Sequence, residues 1–347
     1  MENRKQYRSL DAAKFVCAIL IIILHTAPFS SYSSVLNFGF RNIITVVAVP
    51  FFFMTSGFLL FTKLNTLQSA EKSSYFKKYI KRLISMYLLW SAVYFPFVLR
   101  DWLKNGCTVT DVLQYVKRFF FEGSYSTIWF LPALIVASAA VYLLHKKLSL
   151  KIIILIALPF YGFACLGSSY YGLTKHIPVL RTVFEVYFSF FDSIKNGLLF
   201  GFLFVALGAA FSVYQKEILG RRMLLYSAVF FVCMAGETVV QSYLKWSSNG
   251  VDTKLFLVPL SVCLFGWILT VQLPSTHPQM YIWMRRLSLL LFLSQRVFLS
   301  LFDLYLSDTV FVTNSILYFL SIFGLTLAFS AIFIKLSEKV KVLRRFY

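Results

Sequence analysis

The sequence is poor in charged residues, and poorest in acidic ones. Among 347 residues it has 14 Asp and Glu against 34 Lys and Arg, so 14% of the chain is charged while 59% is hydrophobic. A soluble domain carries about 25% charged residues, and this shortage therefore excludes an ordinary soluble protein and indicates a polytopic membrane protein. The basic residues lie between apolar runs rather than in one basic domain. This distribution favours the bilayer and its anionic lipids over nucleic acid as partners.

Cysteine is also scarce, since the chain has five cysteines and no CxxC pair. Four of the five fall inside apolar runs, which indicates neither a disulfide framework nor a metal site. No internal repeat or soluble insertion interrupts the chain. We therefore predict a single integral-membrane domain over residues 1–347 and expect no metal.

Long apolar runs are what the sequence does have. A membrane-spanning helix needs about 20 apolar residues, and ten runs approach that length. They predict an all-α fold, a transmembrane helix bundle of about ten spans. The runs lie near residues 10–30, 42–62, 83–99, 128–144, 150–167, 195–214, 223–242, 255–273, 286–304 and 313–334.

The positions of Lys and Arg give an independent test of this count. Basic residues accumulate in the cytoplasmic segments of membrane proteins. With ten spans, the two termini and every second loop share one side, and most of the 34 basic residues fall there. The sequence therefore predicts a multi-pass protein of the plasma membrane with both termini in the cytoplasm.

The first predicted span, "LDAAKFVCAILIIILHTAPF", carries three ionisable residues. Lys14 and His25 are eleven residues apart and so differ by only about 20° around a helix, with Asp11 one turn before Lys14. Such a face belongs inside the bundle rather than against lipid. Lys14 and Asp11 are equally compatible with snorkelling and a local ion pair. His25 is the better functional candidate, as a general base or acid near the outer end.

The second and third spans add a small polar break and a basic entry. "VPFFFMTSGFLL" places Ser56 after Pro50, where a kink is expected, although a Thr-Ser-Gly sequence is more often a helix-packing site. "YFKKYIKRLISMYLLW" places Lys81 and Arg82 at the cytoplasmic surface. These cations are compatible with an anionic lipid or with the phosphates of a nucleotide-bearing donor.

Two later spans contain unusual charges, Glu237 in "CMAGETVVQ" and Arg296 in "LFLSQRVFLSLFD". Charges inside a membrane either pair with each other or line a functional site. Both residues are therefore candidates for substrate binding, with mutual pairing as the alternative. A third pattern, Gly197, Gly201 and Gly208 on one face, predicts a close helix-packing seam.

These motifs resemble the integral-membrane acyltransferase family 3. "RSLDAAKFVCAILIIILHTAPF" is similar to that family's first span, in which a basic residue, ten positions and a histidine correspond to Lys14 and His25. "VPFFFMTSGFLL", "KRLISMYLLW" and "TIWFLPALI" are similar to its following elements. In detail, "HTAPF", "RNIITVVAVPFFF" and "KNGLLFGFLFVALGAAF" resemble the membrane domain of vancomycin-resistance serine racemases. One departure is that Gln295 and Arg296 replace a histidine-proline pair.

The resemblance implies an acyltransferase that uses a cytoplasmic acyl-CoA, with acetyl-CoA expected, and an acceptor that is a cell-envelope carbohydrate or a lipid-linked molecule. It implies His25 as the catalytic residue, and we group Asp11 with it. Lys14, Lys81, Arg82 and Ser56 are then the candidates for donor binding. Candidates for substrate binding are Arg41, Trp129, Glu237 and Arg296.

The sequence is also compatible with two other functions. In the serine-racemase branch the membrane domain is thought to bring L-serine inward, so the chain is also compatible with a transport or binding domain for a small amino acid. The substitution at Gln295 and Arg296 is compatible with a scaffold that has lost activity. A pocket of zwitterion size, without a site for CoA, is the feature that favours transport.

Overall fold

The protein folds as a bundle of helices. A computed structural model describes residues 7–218, 220, 222–247, 252–274 and 276–347, and within these residues there is no β-strand. Eight helices of the described part are long and apolar enough to cross a membrane, and two shorter helices, Phe130–His145 and Leu257–Thr270, are also apolar. Together they correspond to the ten predicted spans. The prediction of an all-α membrane bundle is confirmed.

The helices follow one another with short connections. In the first half of the chain they are α1 (Arg8–Thr26), α2 (Ser34–Gly39), α3 (Ala48–Asn65), α4 (Ser69–Asn105), α5 (Val109–Phe121), α6 (Phe130–His145) and α7 (Leu150–Gly167). In the second half they are α8 (Tyr171–Thr174), α9 (Pro178–Phe190), α10 (Phe202–Ile218), α11 (Met223–Tyr243), α12 (Leu257–Thr270), α13 (Pro278–Tyr305), α14 (Val310–Thr313) and α15 (Ser315–Lys339).

The first helix lies among several others, as its polar face predicts. α1 packs against α3, α13 and α15. Asp11, Ala18 and Ile21 on the predicted inward face are buried, whereas Val16 on the opposite side is exposed. The cost of placing ionisable groups in hydrocarbon explains this orientation.

The third span is much longer than its apolar core. α4 has 37 residues, which corresponds to about 55 Å, whereas a bilayer core is about 30 Å thick. Gln68 and Glu71 cap its start reciprocally. The cations around Arg82 therefore lie on a helix that continues out of the membrane, and α4 begins almost four turns before the span predicted from residue 83.

The second span is broken, but not at Pro50 itself. A π-helical turn (Phe40–Ile44) and a 3-10 turn (Thr45–Val47) precede α3. Pro50 then occupies the first turn of α3, where its missing N–H leaves no hydrogen bond unmade. The irregular backbone lies about one to three turns before Pro50, where the sequence predicted a kink.

Glycines bring α3 and α10 into close contact. A Cβ on Gly57 would lie 2.3 Å from the Val205 carbonyl oxygen, and a Cβ on Gly208 would lie 2.0 Å from that of Met54. Real Cβ atoms do not approach backbone so closely, and only glycine allows this packing. A Cβ on Gly197 would lie 2.6 Å from the Ala133 carbonyl oxygen of α6, and one on Gly201 would lie 2.8 Å from the Phe53 ring. The predicted glycine seam is therefore confirmed, although it faces two helices, and Gly57 also has a packing role.

Candidate active site

The residues singled out in the first span lie at opposite ends of α1. Lys14 Nζ is 3.0 Å from Asp11 Oδ1, and the side chains of both residues are buried, with exposures of 11% and 6%. His25 lies in the last turn of α1, about 16 Å further along the axis than Lys14. One helix therefore presents a cation to one region of the bundle and an imidazole to another.

A cavity of about 300 Å³ surrounds the histidine, and we call it the His25 chamber. Residues from α1, from the turn before α3, and from the segments that follow α5 and α9 form its walls. The polar and aromatic wall residues besides His25 are Thr45, Glu122, Ser126, Thr127, Trp129, Ser193, Lys195, Phe200, Asp252 and Phe292.

Opposite charges meet in this chamber. Lys195 Nζ forms a short ion pair with Asp252 Oδ2, which joins the segment before α10 to the segment before α12. Burial disfavours the charged form of Asp252, but Lys195 and Lys254 outweigh it and hold the pKa of this carboxyl below its usual value. Lys195, Asp252, Arg296 and Arg41 all lie close enough to interact electrostatically with His25.

The segment that follows α9 is fastened to the end of α5. Glu122 Oε1 accepts hydrogen bonds from the backbone N–H groups of Asp192 (2.5 Å) and Ser193 (2.9 Å). The Asp192 carboxylate pairs with Lys117 and Arg118. Burial would raise the pKa of Asp192, but the two cations hold it below its usual range. These contacts position Glu122, Ser193 and Lys195 in the wall of the His25 chamber.

A buried lysine lies next to the chamber without lining it. Lys254 is fully buried, and its Nζ donates a hydrogen bond to the Asn42 carbonyl oxygen at 2.5 Å. Burial lowers the pKa of Lys254 to about 8, against the opposing effect of Asp252 and Glu237. This cation ties the start of α12 to the irregular backbone that precedes α3.

At the other end of α1 lies a larger cavity of about 830 Å³, which we call the basic cavity. Five cationic side chains line it, and Glu338 is its one acidic wall residue among those described. Thr55, two serines and three tyrosines add hydroxyl groups, and Thr55 Oγ1 has no hydrogen-bond partner among the described residues. The cationic residues are Lys14, Arg82, Arg285, Arg286 and Arg344.

Part of this wall comes from the last residues of the sequence. Arg344 Nε donates to the Ser337 carbonyl oxygen at 3.0 Å, and Trp90 Nε1 donates to the Phe346 carbonyl oxygen at 3.0 Å. Through these contacts the 3-10 turn Lys341–Phe346 folds back onto α4 and α15. The basic cavity is thus built from this last part of the chain together with α1, α3, α4, α6, α13 and α15.

Three phenylalanines lie between the two cavities. Phe52 and Phe130 line the basic cavity, and Phe292 lines the His25 chamber. Their ring centroids are 5.4–6.2 Å apart in all three pairs. No described residue lines both cavities, and the three rings in mutual contact lie between them.

The structure brings together most of the predicted site residues, in two groups. His25 and Trp129 line the chamber, with Arg41 and Arg296 within electrostatic reach of His25. Arg296 Nε has no hydrogen-bond partner among the described residues. A second group lines the basic cavity and consists of Lys14, Ser56 and Arg82.

Three predicted residues lie elsewhere. Asp11 is about 21 Å along α1 from His25, so grouping it with the catalytic histidine is corrected to a role in holding Lys14. Lys81 is exposed beside Arg82 and lines neither cavity.

Glu237 also lies outside both cavities, and it has a structural partner set. Its carboxylate accepts hydrogen bonds from Tyr170 Oη (2.7 Å) and from the backbone N–H groups of Leu255 (2.8 Å) and Phe256 (2.9 Å). A carboxylate in this position stabilises a helix N-terminus. Glu237 therefore holds the start of α12 instead of binding substrate or pairing with Arg296.

Seven charged residues that line the cavities were not predicted from the sequence: Glu122, Lys195, Asp252, Arg285, Arg286, Glu338 and Arg344. Four of them lie at or beyond the ends of the apolar runs, where basic residues were assigned only to topology. Lys195 could have been identified as a candidate, because it stands at the very start of an apolar run. No feature of the sequence pattern identified Asp252.

Fold and cavities together define a multi-pass helical membrane protein with an imidazole-containing chamber on one side and a polycationic cavity on the other. Comparison with protein families identifies it further. The chain belongs to the acyltransferase-domain family, whose model matches residues 7–335.

Curated relatives of the chain are named as racemases. An amino-acid racemase of Enterococcus faecalis is 31% identical over 274 residues, which cover 78% of this chain and 37% of the relative. A serine/alanine racemase of Enterococcus gallinarum is 26% identical over 259 residues, covering 74% and 36%. The chain thus spans little more than a third of the length of these relatives. No solved structure matches it significantly.

Proposed function

We propose that the protein is a membrane acyltransferase that moves an acyl group, in the first place acetyl, from cytoplasmic acyl-CoA to a hydroxyl group of a cell-envelope carbohydrate or a lipid-linked acceptor. One observation carries this proposal: α1 presents His25 to one cavity and Lys14 to another, across the thickness of the bundle. Family membership supports a transferase.

The basic cavity suits the phosphate groups of the donor. Five cations face one carboxylate there, and arginine offers two parallel hydrogen bonds to a phosphate. Arg82, Arg285 and Arg286 would hold the phosphates, while Lys14, fixed by Asp11, would lie further in. An anionic lipid headgroup has the same chemistry, and competition between acyl-CoA and such lipid distinguishes the two ligands.

The His25 chamber suits the acceptor. His25 would take the proton from the acceptor hydroxyl as its oxygen attacks the thioester carbonyl carbon. The new carbon–oxygen bond forms as the carbon–sulfur bond breaks, and the CoA thiolate leaves and takes up a proton. Lys195, oriented by Asp252, would stabilise the negative charge that develops on the carbonyl oxygen.

We also propose that both termini are cytoplasmic and that the protein resides in the plasma membrane. The excess of basic residues on one side supports this orientation. It places the basic cavity towards cytoplasmic CoA and the His25 chamber towards the envelope.

Mass spectrometry of envelope polymers, with and without the protein, tests the function without a guess about the acceptor. The proposal predicts an acyl modification that disappears with the gene and returns with the wild-type chain. Identical polymers in both strains, with the protein present at normal abundance in the membrane, would contradict it.

A second function is favoured by the size and charge of the His25 chamber. A cavity of about 300 Å³ that contains both Lys195 and Asp252 would accommodate a small zwitterion, and the relatives are named for amino acids. On this alternative the chain binds or transports an amino acid such as L-serine. Uptake of labelled serine that persists in Arg82→Gln and Arg285→Gln variants, which alter the basic cavity, would favour transport over acyl transfer.

A further inference from the structure

The ring cluster between the two cavities is built from three helices that are distant in sequence. Phe52 lies on α3, Phe130 on α6 and Phe292 on α13. All three side chains are buried, with exposures of 9%, 4% and 5%. Each ring contacts both others at centroid distances typical of aromatic pairs. They form a closed apolar triangle.

The rings are held in place from behind. Phe53 lies 4.5 Å from Phe130, centroid to centroid, and a Cβ on Gly201 would lie 2.8 Å from the Phe53 ring. On the other side, the Phe292 carbonyl oxygen accepts a hydrogen bond from the fully buried Gln295 at 3.2 Å. The Gln295 side chain thus fixes the backbone under one of the three rings.

The position of the triangle decides what can pass along α1. Residues on its basic side offer cations and hydroxyls, and residues on its histidine side offer His25, Lys195 and Asp252. Apolar constrictions of this kind exclude water although they contain no covalent barrier. A thioester bound on the basic side is therefore kept from the base that activates hydroxyl groups.

We propose that Phe52, Phe130 and Phe292 form an aromatic barrier that the extended arm of the acyl donor displaces, and that this barrier decides whether the acyl group goes to the acceptor or to water. The second part rests on the proposed function, and the barrier itself does not. With the barrier weakened, the thioester reaches His25 without an acceptor. Water then attacks its carbonyl carbon, the carbon–sulfur bond breaks, and a carboxylic acid and free CoA thiol result.

The barrier is tested first by cysteine labelling, which needs no enzyme activity. Ser56→Cys reports on the basic cavity and Ser126→Cys on the His25 chamber. A small, charged, membrane-impermeant methanethiosulfonate is added to right-side-out or inside-out vesicles, and mass spectrometry reads the introduced cysteine. With the rings intact, each cysteine is labelled from one face only, and the faces differ.

Phe292→Ala, and the milder Phe292→Leu in case the first fails to fold, should allow labelling of both cysteines from both faces. Phe265→Leu is the matched control, because its ring is equally buried and contacts Phe51, Phe58 and Phe211, yet it lines neither cavity. Labelling from both faces with all rings intact would overturn the barrier. So would labelling that stays one-sided in well-folded Phe292 variants.

The second measurement is the release of CoA thiol from acetyl-CoA without acceptor. The Phe292 variants should release it at least tenfold faster than the wild type and the Phe265 control. Equal rates, in a protein that transfers acetyl to its acceptor, would overturn the role in directing the acyl group. If neither transfer nor hydrolysis occurs in any variant while the labelling behaves as expected, the barrier stands and the acyltransferase function fails.

Discussion

The two cavities at the ends of α1 differ in both size and charge. The basic cavity is nearly three times larger and has five cations against one carboxylate, whereas the His25 chamber contains a cation, carboxylates and an imidazole in about 300 Å³. A large cationic cavity recognises a polyanion mainly by its charge and accommodates ligands of different shapes. A small chamber with fixed, opposite charges positions groups for chemistry. α1 reaches both cavities because Lys14 and His25, eleven residues apart, project from nearly the same side of the helix.

We expect the largest effect from removal of the His25 imidazole. His25→Ala should lower acyl transfer about 10²- to 10⁴-fold, because a positioned general base contributes about that much. Acetyl-CoA binding, measured on the purified protein, should stay unchanged since His25 lies beyond the three rings.

His176→Ala is the matched control, an exposed histidine outside both cavities. Transfer at the wild-type rate by His25→Ala, at equal membrane abundance, would contradict the catalytic assignment.

Substitutions in the basic cavity, the proposed donor site, should change KM rather than kcat. Arg285→Gln should raise the KM for acyl-CoA about tenfold to a hundredfold and leave kcat nearly unchanged, since a hydrogen bond to a charged group contributes about 1.5–3 kcal/mol. Steady-state kinetics in proteoliposomes measure both constants.

Lys78→Gln removes an exposed cation of α4 that does not line the basic cavity, and its KM should match that of the wild type. Equal KM changes in the two variants would indicate attraction by overall charge instead of a binding site.

The third prediction concerns α3, which contributes different residues to the walls of the two cavities. α3 contributes to both cavities and is held against α10 at Gly208. Gly208→Ala should therefore destabilise the protein by about 1–3 kcal/mol, the usual cost of overpacking, and impair both cavities together. Thermal unfolding in detergent measures the loss.

Gly324→Ala on α15, where a Cβ meets nothing within 4 Å, should change the unfolding temperature little. Similar losses in both glycine variants would show that the close approach of α3 and α10 is unimportant.

The last comparison concerns Lys254, with its pKa lowered to about 8 by burial. Between about pH 8 and the pKa of an unfolded lysine near 10.4, the unfolded chain binds the extra proton, so stability rises with pH by up to about 1.4 kcal/mol per pH unit. Thermal unfolding from pH 7 to 10 should show this rise in the wild type.

Lys254→Met should remove that part of the slope, whereas Lys147→Met, which changes an exposed lysine, should keep it. A slope unaffected by Lys254→Met would contradict the assignment.

The sequence predicted the ten helices because hydropathy depends mainly on length and composition, which each run shows by itself. It also predicted the glycine seam and the inward face of α1, since helical spacing places residues on faces. Boundaries such as the start of α4 were less certain, because a helix can continue as polar sequence beyond the membrane. Pairings between distant segments are not encoded in such spacing.

The candidate site shows the same division. Spacing within α1 related Lys14 to His25, whereas Arg285, Arg344 and Asp252 reach the two cavities only through packing of α13, α15 and α12. Glu237 was predicted to be a site residue but lies outside both cavities. Its charge inside an apolar run predicted a functional site, but nearby backbone N–H groups satisfy it. The three rings looked like ordinary core residues until the structure placed them between two cavities.

In the proposed mechanism, donor and acceptor occupy opposite ends of one bundle. Proteoliposomes with acetyl-labelled CoA on one side and the acceptor on the other test this arrangement. We expect label to cross to the acceptor from the opposite compartment, and this transfer to be lost in His25→Ala. Transfer only when donor and acceptor share a compartment would contradict it.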